Sequence, residues 1–210
     1  MALITAAEAR ALIKGASSAD DSLLTTLIGY AGVLIAQYCG YPPASSTASP
    51  SLESASYTRY LGDPGIFVDP DDTSRLYLEP WPVTAIALLR EDEEEVFGSS
   101  SEISASDYVQ RGSRGQILQL KPLNSHGTWS LDRGAIKITF TAGWSTAPDD
   151  LKAACIALVR HLFRAPVRAG LESASEGELS ENYQITAHNL PDDVRSMLSG
   201  HVLPSKYLHA

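Results

Sequence analysis

Aspartates, glutamates and histidines are the residues here that could move protons or hold a metal, so their spacing is the first question. Asp69, Asp71 and Asp72 resemble the opening of a calcium loop, but the sixth-position glycine and the closing glutamate are missing and Arg75 follows. A β-turn is the better reading. The five histidines, His126, His161, His188, His201 and His209, are scattered, and none pairs with a carboxylate at helical spacing. They read as surface or capping residues. Cys39 and Cys155 have no C-x-x-C and no ligand-spaced neighbour, so buried free thiols are expected. Trp81, Trp129 and Trp144 lack the interleaved basic residues of a base-stacking surface and read as packing residues. Phosphate loops, nucleophile elbows and H-E-x-x-H are absent from the sequence. The expectation is a protein with no catalytic residues, no cofactor site and no metal site, and therefore not an enzyme. One dense run remains, the acids Glu91, Asp92, Glu93, Glu94 and Glu95, which read as a solvated hairpin tip.

Composition narrows the class further. A chain of 210 residues has room for one sizeable core, and 44% hydrophobic with 20% charged residues is ordinary for a globular protein. No apolar run reaches the ~18 residues of a membrane span, and no signal peptide is evident, so no membrane partner and synthesis in a cytoplasm are expected. The net charge of −9 argues against tight, sequence-independent nucleic-acid binding, which draws its affinity from Lys and Arg displacing counterions. Such a chain can still lie beside DNA without adhering to it.

The elements that must carry these residues follow from periodicity. Thr5-x-x-Glu8 has capping-box spacing ahead of a short helix ending near Gly15. A longer helix, capped by Asp20 or Asp21, puts Leu24, Leu27, Ile28, Ala31, Leu34, Ile35 and Tyr38 on one face and stops at Gly40. Gly29 and Gly32 inside it predict close approach of another backbone. Residues 44–56 are small and polar, a loop. Short strands follow over 57–61, 66–68, 76–78, 83–89, 96–97, 108–111, 117–120 and 135–141, separated by turn signals such as Gly62-Asp63-Pro64-Gly65. With no helical pattern between them, they must pair antiparallel. Pro148-Asp149-Asp150 then opens the best helix of the chain, whose face carries Leu151, Ala154, Cys155, Leu158, Val159, Leu162 and Phe163. Residues 170–181 read as a polar mobile loop. Pro191-Asp192-Asp193 repeats the helix-start signal, and Val194, Met197 and Leu198 supply a small apolar face. The tail carries Val202, Leu203, Tyr207 and Leu208 with nothing local to bury them.

The phrases LITAAEAR, YCGYPP, LEPWPVTAI, ITFTAGWSTAPDDLKAACIALVRHLF and LPDDVRSML, in this order, resemble the head-tail connector (adaptor) proteins of tailed bacteriophages and phage-like gene transfer agents. The resemblance implies an α+β fold, a small helical bundle from the N- and C-terminal parts with an inserted antiparallel β region. In this chain that places the bundle at 1–43 and 146–200, the β region at 57–145 and an extended tail at 201–210. It implies a structural virion protein, assembled in the bacterial cytoplasm. This protein would form a homo-oligomeric ring, usually a dodecamer, under the portal protein, receive a head-closure or tail protein, and let double-stranded DNA pass. A ring of about twelve such chains would carry on the order of a hundred negative charges, which suits a DNA channel. Carried onto this sequence, portal binding falls on Leu203, Pro204, Lys206, Tyr207 and Leu208. The acidic tip, Glu91 to Glu95, falls on the lumen or the tail-side face. The alternative readings are a non-catalytic interaction module of another multiprotein complex and a cytosolic enzyme of unrecognised type.

Overall fold

The computed structural model describes residues 3–121, 127–164, 173–176, 179–182, 185–186 and 189–204. The fold is α+β, in two compact units. One is helical and drawn from both ends of the chain: the sequence up to Pro42, Ser49–Leu52 and Thr146–Val202. The other holds Pro43–Ala48 and Glu53–Ser145, together with Leu203.

In the helical unit, α1 (Ala6–Leu12) begins on the expected capping box. Thr5 Oγ1 accepts from the Glu8 N–H and the Glu8 carboxylate accepts from the Thr5 N–H at 2.7 Å. A 3-10 turn (Ser18–Asp20) leads directly into α2 (Asp21–Cys39). Its start is secured one turn earlier than expected, because Ser17 and Asp20 form a second capping box and neither Asp20 nor Asp21 caps α2 through its side chain. Gly40, at φ +83, ends the helix in the left-handed region that glycine enters without strain. The buried face of α2 is Leu24, Ile28, Ala31, Leu34, Ile35, Ala36 and Cys39. Two expectations for this helix fail. A Cβ built on Gly29 or Gly32 meets nothing within 4 Å, so among the described residues no backbone packs there. And the continuous helical stretch Ser18–Cys39, 22 residues, is long and apolar enough to cross a bilayer by length and composition, because scattered Thr and Ser do not interrupt its apolarity as charges would. One face of it is buried within the helical unit, against α1 and α3.

The helix α3 (Asp149–Arg164) packs on α2 and on α4 (Asp192–Leu198). Leu151, Ala154, Cys155, Leu158 and Val159 are buried as the periodicity requires, whereas Leu162 and Phe163 are only half-buried near the helix end. Between α3 and α4, the run expected to be a loop forms an antiparallel hairpin, β8 (Ser173–Glu176) with β9 (Leu179–Asn182). Main-chain pairing needs no apolar side chains, which is why apolar periodicity missed it.

The β unit contains two sheets. One has the order β1 (Ala55–Tyr60), β7 (Ile136–Ala142), β4 (Val83–Glu91). The other runs β2 (Ile66–Val68), β3 (Arg75–Leu78), β6 (Ile117–Leu120), β5 (Tyr108–Arg111). All pairings in both are antiparallel. Strand β7 is the centre of the first sheet. Its residues alternate buried and half-buried, with Ile136, Ile138, Phe140 and Ala142 inward, as a period of two dictates. Both sheets contribute to one apolar cluster, in which Tyr57 stacks on Phe140 at 5.8 Å. Trp129 is fully buried there, and its Nε1–H donates to the Ser74 carbonyl at 2.9 Å. The Glu79–Pro80 and Trp81–Pro82 bonds, in the turn before β4, are cis.

Candidate functional site

The acidic run lies where β4 leaves its sheet. Residues 96–97 do not form the strand expected of them; the chain turns sharply instead, with Glu95 at φ +57 and Phe97 at φ +52. The cause is Asp92. Its Oδ1 accepts from the Glu94 N–H at 3.0 Å and its Oδ2 from the Phe97 N–H at 2.9 Å, so one carboxylate gathers the turn. The chain then returns to β4 through a single antiparallel bridge, Arg90 to Glu102, closed by an ion pair at 3.6 Å. Glu91 Oε1 accepts from the Ser130 N–H at 2.5 Å, and the Glu95 carboxylate lies against Gly134, where a Cβ would collide with it. The five acids therefore divide. Glu91 and Asp92 are half-buried and bonded to backbone, Glu95 is exposed but rests on Gly134, and Glu93 and Glu94 stand exposed at the apex. A uniformly solvated tip is thus corrected to a built turn with two outward acids. Val96, 74% exposed, and Leu131, 67% exposed, give this corner of the β unit an apolar component as well.

The C-terminal candidates also divide. The chain does not leave the helical unit at Gly200: Ser199–His201 is a 3-10 turn and His201 is buried. Leu203, expected to lie open, is fully buried, while Pro204 is exposed. An apolar side chain gains by finding cover, and Leu203 finds it within the chain. Lys206, Tyr207 and Leu208 lie outside the described residues.

Sequence spacing missed one constellation altogether. His201 Nε2 lies 2.6 Å from Asp150 Oδ2, and His161 Nε2 lies 3.2 Å from Asp193 Oδ2, with Arg160 at 3.5 Å from the same carboxylate. The partners are 51 and 32 positions apart, so no local pattern could reveal them. Both pairs tie α3 to the α4 segment, one at each end of α3. Burial works to raise the Asp150 carboxyl, but the hydrogen bonds from His201 and from the Leu151 N–H outweigh it, and Asp150 titrates below the usual carboxylate range. For Asp193, burial is likewise outweighed, by the bond and charge of His161, the Val194 N–H and Arg160. Asp192 pairs with Arg195. These acids serve the helix starts and also lock two helices together. Burial pushes the Cys155 thiol up to about 12, which makes it unreactive at neutral pH. Asp69 and Asp72 accept from the N–H groups of Asp71 and Ser74, and Asp72 pairs with Arg75 at 3.0 Å, the geometry of turns. Among the described residues, no group of three or more His, Cys, Asp or Glu side chains is placed to hold a metal.

Nothing in these arrangements joins a nucleophile, a base and an oxyanion site; what they hold are turns and helix contacts. No curated protein matches the chain in sequence. Among solved structures, the chain is similar to one in the neck of an empty gene transfer agent particle, computed with C6 symmetry: TM-score 0.55, 16% identity, covering 95% of this chain and 88% of that one. A chain in the neck of the native particle, computed with C12 symmetry, matches with TM-score 0.48 and 16% identity over 93% of this chain and 86% of that one. At such identity the first likeness is one of fold. The model of the head completion protein family matches residues 2–202, nearly the whole chain, so the protein belongs to that family and is a structural component of the head–tail junction.

Proposed function

We propose that the protein acts as one subunit of a ring, a dodecamer in the assembled particle, seated between the portal and a head-closure or tail protein, with double-stranded DNA passing through. Its role in this reading is mechanical and non-catalytic, and the subunits are made in the bacterial cytoplasm before they join the head. The observation that carries the reading is the family match over residues 2–202. The net charge of −9 supports it, because an acidic wall offers DNA no counterion release and so no adhesion. The portal-side contact falls on the C-terminal segment, Pro204, Lys206, Tyr207 and Leu208, with buried Leu203 anchoring it to the body of the subunit. The acidic turn, through Glu93 and Glu94, faces the lumen or the tail side.

Truncation after Pro204 removes the proposed contact while keeping His201 and Leu203. Co-sedimentation of the truncated protein with tail-less heads should be lost while its thermal melting is unchanged. Normal attachment would refute the assignment of the segment. For the turn, Glu93→Gln with Glu94→Gln should lower DNA retention or tail joining in a complementation assay; unaltered infectivity rejects that part.

A further inference from the structure

The outward face of α2 carries no charge beyond the first residue of the helix, Asp21; none of the residues from Ser22 through Cys39 is charged. A helix half in the core and half in water ordinarily carries its charges on the water side. Here that side presents Ser22, Thr26, Gly29, Val33 and Gln37 along one line, with Val33 half-buried and the others exposed. Leu23, 44% exposed, and Tyr30, 51% exposed, flank it. The hydroxyls of Thr25 and Thr26 are turned back to the helix's own carbonyls of Asp21 and Ser22, at 2.8 and 3.1 Å, so they ask little of water. Gly29 and Gly32 lower helix propensity, and nothing among the described residues occupies the room they leave. Loss of charge with a retained aromatic is the compositional mark of an interface centre.

We infer that this face of α2 is a contact surface for a second copy of the chain. Charge selects that occupant. Two molecules each carrying −9 repel wherever their acids meet, and an uncharged helix is a place where they can touch without like-charge juxtaposition. The glycines let the second copy's main chain or a large side chain approach closely. Area sets the strength. A helix of 19 residues rises 1.5 Å per residue, so its strip covers on the order of 300 Å², well short of the ~800 Å² per partner of a stable binary complex. Two free molecules therefore associate reversibly through it, and the contact becomes permanent where further contacts hold the copies side by side. The inference rests on the reading of the protein as a self-associating subunit.

The test places the photo-crosslinker p-benzoylphenylalanine at Tyr30 of the full chain and illuminates both assembled particles and the purified protein at high concentration. Crosslinked peptides belonging to this same chain, with a product at twice the 22.5 kDa chain mass, are expected in the particles. Crosslinks only to other proteins, or none while the chain is present in the particles, overturn the inference and leave the junction role standing. Absence of the chain from particles instead counts against the junction role, and the purified protein then decides self-contact by the same criterion. In parallel, Thr26→Glu with Gln37→Glu should weaken self-association in sedimentation velocity by about tenfold or more, through like-charge repulsion, with melting unchanged. Equal association of this variant and the parent overturns the inference.

Discussion

At the residue scale, the His–Asp pairs make the sharpest demands. Because a carboxylate can only accept, His201 Nε2 must carry the hydrogen it gives to Asp150, and the ring is 4% exposed. His201→Ala removes a buried ring and its hydrogen bond, for an expected loss of about 2 kcal/mol, readable in urea unfolding. The pH dependence follows from the carboxylates. Both folded values lie below the unfolded one, so their stabilisation is fully present above the unfolded carboxylate range near pH 4 and is lost as pH falls through the depressed folded values. Asp150→Asn combined with Asp193→Asn should therefore flatten the fall in melting temperature as the pH drops below about 4, relative to the parent protein. At Gly134, φ is +87 and a Cβ would meet the Glu95 carboxylate. Gly134→Ala should cost roughly 1–2 kcal/mol and disturb the acidic turn; an unchanged melting temperature would contradict the strain argument. None of these three effects was legible in the sequence. Each joins residues that the chain keeps far apart, and a one-dimensional pattern has no term for that.

At the element scale, legibility depended on what a helix or strand is made for. The buried faces of α2 and α3 and the alternation of β7 were readable because a core must be apolar and each element has its own period. The capping box at Thr5 and Glu8 was readable because both partners sit within one turn. The turn after β4 was not. Val96 and Phe97 have strand-forming side chains, and the Asp92 carboxylate overrides that preference by binding two backbone N–H groups. Gly29 was misread for a related reason: a glycine in a helix signals close approach, but not by what. Gly29→Ala, with open space at its Cβ, should stabilise the isolated protein by up to about 1 kcal/mol, a rise of roughly 2–4 °C for a chain of this size. A fall in melting temperature would mean that the helix is packed there after all.

For the whole molecule, the acidic balance was legible from composition, and the mixed α+β class from the change of period along the chain. The exposed part of the C-terminal segment was overestimated, since burial of Leu203 depends on three-dimensional neighbours. Both cysteines are fully buried, and the Cys155 thiol stays protonated at neutral pH. The folded protein should thus fail to react with a thiol reagent such as DTNB over hours at pH 8, and should titrate two thiols once unfolded in guanidinium. Rapid labelling of the native protein would show that the helical unit opens on that timescale.

Strand β7 pairs with β1 and β4 at once, and Thr58 meets Thr139 across 81 positions, while α2 waits for α3. During translation, therefore, the first two-thirds of the polypeptide can close neither unit. The sheet awaits its middle strand, and the early helix exposes its core face until α3 has left the ribosome. At 5–20 residues per second the wait lasts on the order of ten seconds. Over that interval an apolar helix long enough to enter a bilayer stands uncovered, which makes the nascent chain, unlike the finished subunit, a natural client for chaperones.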